Sequence, residues 1–237
     1  MRPALARAGG FGDTVVRLDT ADVLWAGRVH AAAVADDPVY AAAKRMFDVL
    51  FAILLLVVTA PALLIAAMFI GCTSRGPVIF RQTRCGRGGQ LFTCYKLRTM
   101  VVGAERRRAE VLPLNEASGP VFKARNDPRI TAVGRWLRKT SIDELPQLVN
   151  VLRGEMTIVG PRPPIPEEVV QYRPWELRRL AVKPGLTCLW QVSGRSEIGF
   201  EQWVALDLEY IRRRSFWYDL QIVARTAPAV LSGRGAL

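Results

Sequence analysis

Residues 44–74 read KRMFDVLFAILLLVVTAPALLIAAMFIGCTS, and from Val49 to Ser74 no side chain is charged. Val49 to Ile70 alone would extend about 33 Å as a helix, the thickness of a bilayer core. The run starts too late for a secretory signal, whose apolar region falls within about the first 15–30 residues. Near its middle stands Pro61, which removes a helical hydrogen bond and crowds the preceding turn, so a kink is expected there. Lys44 and Arg45 precede the run, and Arg75, Arg81, Arg84 and Arg87 follow it. The positive-inside tendency would hold both flanks on the cytoplasmic face. A re-entrant hairpin broken at Pro61 satisfies both flanks, whereas a straight span with a tolerated proline satisfies one; the sequence leaves both open.

Charge elsewhere follows from this segment. Residues 1–48 hold 6 basic and 6 acidic side chains, and residues 49–237 hold 27 and 15, so the whole net charge of +12 lies beyond the start of the apolar run. Such a surface attracts phosphates or anionic lipid, and nucleic acid would satisfy the same charge. Half of the 237 residues are apolar, which excludes a wholly disordered chain. Cys72, Cys85, Cys94 and Cys188 form no C-x-x-C pair, and His30 is the sole histidine. A disulfide framework, a zinc site and a Ser-His triad are thereby disfavoured, a reducing location fits, and any acid, base or nucleophile is expected from carboxylates. Residues 1–43, rich in Ala and Gly and balanced in charge, read as a flexible arm.

After the apolar run, PVIFRQTRCGRGGQLFTCYKLRTM (77–100) predicts a β-hairpin turning at Gly86, Gly88 and Gly89. In its second strand Phe92, Cys94, Lys96 and Arg98 share one face, so two cations project together. The turn matches neither G-x-G-x-x-G nor the P-loop, and its glycines are expected to serve backbone geometry. A polar helix is expected around GAERRRAEVL (103–112), then helix, loop and helix through 132–164, and a further helix over 167–182 bent or broken at Pro174. In the last forty residues Phe200, Trp203, Val204, Leu208 and Ile211 form an apolar stripe, followed by a second run from Phe216. These two helices fit the membrane surface or an ordinary core equally well.

Chemistry points to TSIDELPQL (140–148), where Asp143 and Glu144 stand side by side in a basic neighbourhood. Ser141 and Glu144 fit a capping box, and Pro146 supports a helix start close by. Asp143 would then lie at the first turn, where the helix dipole favours its ionised form. Arg138 precedes the pair, Arg162 sits in the backbone-restricting sequence GPRPP, and Lys96 and Arg98 come from the hairpin. Cations from three segments, a helix N-terminus and a carboxylate together describe a diphosphate site with an internal nucleophile.

Four successive blocks resemble a known family: KRMFDVLFAILLLVVTAPALL, GPVIFRQTRCGRGGQLFTCYKLRTM, DPRITAVGRWLRKTSIDELPQLVNVLRGEMTIVGPRP and KPGLTCLWQVSGRSEIGFEQWVALDLEYI. They look like the bacterial sugar transferases, the monotopic polyprenyl-phosphate sugar-1-phosphate transferases of exopolysaccharide and O-antigen assembly. The resemblance runs from about Lys44 to the C-terminus. It implies an α+β, mostly α architecture: a flexible arm (1–43), a re-entrant membrane helix hairpin (44–73), and a cytosolic catalytic domain (74–237) with a small β-hairpin and interfacial helices. It also implies transfer of sugar plus proximal phosphate from a UDP-sugar to undecaprenyl phosphate with release of UMP, at the cytoplasmic face of the bacterial inner membrane. Asp143 would be the nucleophile forming a phosphosugar-aspartyl intermediate and a ligand of the required Mg²⁺, with Glu144 its partner. Arg138, Arg162 and Lys96 would bind phosphate, with Arg98 beside them.

There are departures from the family pattern. Ala60-Pro61 stands where relatives often have Ser-Pro, with Thr59 alongside to supply a hydroxyl, and Glu155 stands where relatives often have Asp, leaving a metal role open. The additional membrane helices and domain of larger members are absent from this sequence, so a stand-alone catalytic unit is expected. No nucleic-acid partner is expected, and a homodimer stays open. Two rivals remain at this stage: a membrane-associated glycosyltransferase moving the sugar alone and releasing UDP, and a non-enzymatic basic adaptor for which Asp143 would be dispensable. The donor sugar is not legible, with a lean to plain hexoses from the exopolysaccharide-like last third.

Overall fold

In the computed structural model residues 37–194 and 198–231 are described; most of the expected arm, with His30, lies outside them. Helix α1 runs from Pro38 to Thr73, 36 residues with Pro61 inside. Its start suits its sequence: Pro38 fills the first position, and the Asp37 carboxylate accepts from Val39 N at 2.8 Å. The helix thus begins before Lys44, inside the stretch read as arm. Helical assignment continues through Pro61. The Thr59 hydroxyl donates to Leu55 O at 2.6 Å, a back-bond that bends helices. The carbonyl that Pro61 deprives of its helical donor is that of Val57, four residues before it, so this bond is not the role expected of Thr59.

Both halves of α1 pack on the remainder of the chain. Phe47, Phe51, Ala52, Leu55 and Leu56 join a cluster with Leu148, Val151 and Ile158, while Leu63, Ala66 and Ile70 join Leu97 and Leu137. The opposite face stays uncovered: Leu50, Leu54, Val57, Leu64, Met68 and Phe69 are exposed, and of the helix's most apolar 18-residue stretch, all faces together, 11% is buried.

The charges at the base of α1 are also structural. Arg45 donates to the carbonyls of Val151 and Leu152 at 2.7 and 2.8 Å at the end of helix α4 (Leu148–Arg153), where Val151 O also accepts from Gly154 N. Buried Asp48 accepts from Thr157 Oγ1 and Ile158 N at 2.6 and 2.9 Å. Lys44 pairs with buried Asp219 at 2.7 Å. Strand β3 (Thr157–Val159), which receives Asp48, pairs in parallel with β4 (Gly185–Thr187). These three-residue strands are too short for any periodicity to announce them.

The expected hairpin is present: β1 (Ile79–Cys85) and β2 (Leu91–Leu97) are antiparallel, from Ile79 opposite Leu97 to Cys85 opposite Leu91. Gly88 turns at φ 65°, a backbone region that L side chains rarely adopt. The polar helix shrinks to α2 (Arg108–Val111). Helix α3 (Ala132–Thr140) begins at Thr131, whose hydroxyl accepts from Gly134 N at 2.9 Å. Between α3 and α4 lies a 3₁₀ segment, Ile142–Gln147, instead of a loop. The long helix expected over 167–182 is only α5 (Pro166–Val169) and a 3₁₀ segment Glu176–Ala181, since Pro174 removes a donor in between.

For the last two helices, α6 (Phe200–Arg213) and α7 (Phe216–Leu231), the structure decides between surface and core. Phe200, Trp203, Val204 and Ile211 are buried and Leu208 packs beside them, so the α6 stripe faces the protein core and is not interfacial. Its register puts Asp207 on the same face, where it meets Arg179. On α7, Ile222 is buried whereas Trp217 is 73% exposed.

Candidate active site

Asp143 and Glu144 lie in the first turn of the 3₁₀ segment, entered through Ser141 at φ 57° and ψ 15°. Ser141 is the single non-glycine residue with positive φ among those described. That conformation closes α3, because Ser141 N donates back to Arg138 O at 3.1 Å, and it turns the chain sharply before the acidic pair. The expected capping box does not form: the Ser141 side chain makes no cap bond, and Glu144 pairs with Lys96 at 2.6 Å instead. A left-handed Ser141 lacks the extended backbone that an N-cap needs, and the strand cation outcompetes a backbone amide for a carboxylate.

The two carboxylates inhabit different environments. Asp143 is 6% exposed. Burial pushes its carboxyl up; Lys96 and Arg138 pull it back, Glu144 adds to the rise, and the balance stands at about 6. The expectation that the helix end would favour ionisation is therefore outweighed by desolvation. Glu144 goes the other way: burial raises it, but Lys96, Arg162 and Arg84 together hold it below the usual carboxylate range. One group is a firmly ionised partner of a lysine, and the other is poised near neutrality between two cations.

Arg138 reaches this place because α3 lies very close to the chain after β2. Thr131 N donates to Thr99 O at 3.0 Å, and a side chain at Gly134 would run into that carbonyl. From there Arg138 Nε donates to Thr99 Oγ1 at 3.0 Å, with Asp143 and Asp127 as nearby counter-charges.

Beside Glu144 opens a cleft whose walls include Lys96, Arg162, Gln147 and Gln191. Asp143 is not in those walls; it is the buried chain neighbour of Glu144 and feels the charges of Lys96 and Arg138. The structure thus brings Lys96, Arg162 and Glu144 into one cleft, and Arg138, outside its walls, is a near counter-charge of Asp143. Arg98 is not with them. Its guanidinium donates to Ser74 O and Oγ and Arg75 O, each at 2.8 Å, tying the end of α1 to the hairpin. It shares a strand face with Lys96 as read from the sequence, but three oxygen acceptors at the helix end claim its donors.

Arg84 is the residue that sequence reasoning assigned elsewhere, as a membrane-flanking charge. It is buried, lines the cleft and bonds to Gln82 and Pro163. Strand alternation with the register Gln82 opposite Cys94 was the available signal, since it sets Arg84 on the face of Cys94 and Lys96. Glu155, left open for metal binding, accepts from Asn150 Nδ2 at 2.7 Å, and Asn150 also holds the Thr93 carbonyl of β2. Among the described residues no three His, Cys, Asp or Glu side chains gather as a metal cage. Mg²⁺ commonly takes one or two carboxylates and completes its shell with phosphate oxygens and water; of the acidic pair Glu144 is engaged by Lys96, so Asp143 is the carboxylate whose chemistry would fit such an ion.

Comparison with known proteins identifies the family. The family described as bacterial sugar transferase matches residues 39–233. The galactosyl transferase CpsE of Streptococcus agalactiae is 46% identical over 198 residues, covering 82% of this chain and 43% of its own. An undecaprenyl-phosphate galactose phosphotransferase of Salmonella typhimurium is 44% identical, covering 81% and 41%. The exopolysaccharide production protein ExoY of Sinorhizobium fredii is 41% identical, covering 84% and 90%. The chain therefore spans less than half the length of the first two relatives and most of the third.

Proposed function

The chain belongs to the bacterial sugar transferase family, and from that premise we propose that it moves a sugar-1-phosphate from a UDP-sugar to undecaprenyl phosphate, releasing UMP. One observation carries the reading: a buried carboxylate, Asp143, raised to about 6 by burial and held back by the charges of Lys96 and Arg138, stands beside a partner carboxylate that stays ionised and pairs with Lys96 at the cleft. The relatives' names, an undecaprenyl-phosphate galactose phosphotransferase and an exopolysaccharide protein among them, support the acceptor and the pathway class. They also favour a plain hexose as the donor's sugar.

In the first step a carboxylate oxygen of Asp143 bonds to the sugar-proximal phosphorus, and the anhydride P–O bond breaks with its electron pair leaving on UMP. A sugar-phosphoryl ester of Asp143 remains. In the second step an oxygen of the lipid phosphate attacks the same phosphorus and Asp143 departs as carboxylate. One phosphoanhydride is exchanged for another, and no proton need be gained or lost. Poor solvation strengthens Asp143 as a nucleophile, and above about pH 6 it is ionised. Lys96, Arg138 and Arg162 screen the phosphates that would repel it. Glu144 holds Lys96 at the cleft. A Mg²⁺ ion held by Asp143 and substrate oxygens would supply further neutralising charge.

The membrane reading rests on α1. Ala52 and Ile70, eighteen residues or about 27 Å apart along a straight helix, both pack on the same globular part. A straight crossing would carry that part into hydrocarbon, so a helix bent at Pro61 that enters and leaves by the cytoplasmic face is the better fit. Its exposed apolar face would then meet lipid and bring undecaprenyl phosphate to the cleft.

The test is a half-reaction. Protein in detergent with a UDP-hexose and Mg²⁺ but no lipid acceptor is expected to release one UMP per chain and gain the mass of a hexose phosphate on Asp143. Asp143→Asn should do neither. Release of UDP instead would replace this reading by transfer of the sugar alone.

A further inference from the structure

Arg162 reaches the cleft from GPRPP, residues 160–164, a segment that cannot hold itself. Pro161, Pro163 and Pro164 have no N–H, so the segment lacks the donors to build a ladder or helical turn of its own, and its carbonyls depend on donors from other segments. Each is gripped from outside instead. Pro161 O accepts from Gly185 N at 2.9 Å and Pro164 O from Cys85 N at 2.9 Å. The two carbonyls between them are held by side chains: Arg162 O by Arg179 Nη2 at 3.4 Å and Pro163 O by Arg84 Nη1 at 2.8 Å.

Both guanidiniums are nearly out of water, Arg84 8% and Arg179 4% exposed. Each is fixed in turn. Arg84 Nη2 donates to Gln82 Oε1 at 2.6 Å, while Arg179 donates to Asp207 Oδ2 at 2.5 Å and to the Tyr172 hydroxyl at 3.0 Å. Removing a cation from water is costly, and Arg84's hydrogen-bond partners are neutral. A loop that needed only to be covered could be covered by apolar side chains. Two planar donors on successive carbonyls instead restrict rotation of the peptide from which the Arg162 side chain springs.

We propose that Arg84 and Arg179 are positioning residues that clamp GPRPP and thereby aim Arg162 at the phosphates of the donor. The inference rests on the sugar-phosphate reading of the cleft. It assigns a role to a buried pair, Arg179–Asp207, that the chemistry does not otherwise use, and it gives Arg84 a role that depends on geometry and not on charge alone.

The experiment is a mutant cycle on the full chain in detergent, reading UDP binding by calorimetry, KM and kcat for the UDP-hexose, and thermal unfolding. Arg84→Met and Arg179→Met are each expected to weaken UDP binding about tenfold and to raise donor KM more than they lower kcat. In an Arg162→Ala background each should add less than about twofold, because the residue they aim is gone. Arg84→Lys keeps the charge and loses the two-bond grip, so it should resemble Arg84→Met. If either methionine variant fails to fold, Arg84→Lys carries the same cycle. Losses that multiply with Arg162→Ala, or wild-type affinity in Arg84→Lys, would overturn the clamp while leaving the functional reading intact. A wild-type protein that neither binds UDP nor releases UMP would overturn that reading and the clamp together.

Discussion

Asp143 makes two measurable claims at the scale of one residue. Its carboxyl stands at about 6 with burial as the chief cause, so the acid limb of the kcat/KM profile should fall near pH 6. Glu144→Gln removes a like charge and should move that limb downward, whatever it does to the rate. Burial also has a cost. A carboxyl whose folded value exceeds its ordinary 3.8 adds nothing unfavourable below about pH 4, and destabilises increasingly between there and 6. Asp143→Asn should therefore be more stable than wild type at pH 8, by on the order of 3 kcal/mol, and no more stable at pH 3.5. Thermal unfolding at the two pH values checks this, and equal stability at both would show that the site stores no such penalty.

Between elements, close approach decides the site. Helix α3 can deliver Arg138 beside Asp143 only because Gly134 lets it touch the Thr99 carbonyl. Gly134→Ala should lower stability by about 1–3 kcal/mol through overpacking, seen as a lower Tm, and reduce turnover as Arg138 is displaced. Lys96 and Arg98, two residues apart, should separate cleanly. Lys96→Ala loses a partly exposed pair with Glu144 and should abolish turnover with little change in Tm. Arg98→Ala strands the carbonyls of Ser74 and Arg75 and should cost about 1–3 kcal/mol of stability. Turnover and unfolding measured on both variants test the assignment; the reverse pattern would return Arg98 to the phosphate site.

For the whole molecule the question is which side of the bilayer each end of α1 faces. Single cysteines introduced at the exposed positions Val39 and Arg75, with Cys72 replaced by serine, report it. A membrane-impermeant maleimide is expected to miss both in intact cells and to reach both in inverted vesicles. Pro61→Leu, which restores the helical donor, should favour a straight span, make one site reachable from outside and reduce activity. Opposite-side labelling in the wild type would end the re-entrant reading.

How much of this was legible divides along one line, the range of the interactions involved. The apolar run with its proline, the hairpin with its glycine turn and the adjacent carboxylates follow from residues a few positions apart, and the sequence by itself determined them. Local pattern also named Lys96, Arg138 and Arg162, because fixed-spacing motifs carry their neighbours along. Tertiary structure alone decided the rest. Glu144 chose Lys96, 48 residues away, over a capping box; Arg98 turned to the end of α1; Arg84 joined GPRPP, 79 residues on. The α6 stripe went to the core, where Phe200, Trp203 and Val204 pack in an apolar cluster and Asp207 on the same face meets a buried Arg179. Side chains of one charge type look alike along a chain, and they become different only when folding removes water from some and brings a particular acceptor to each.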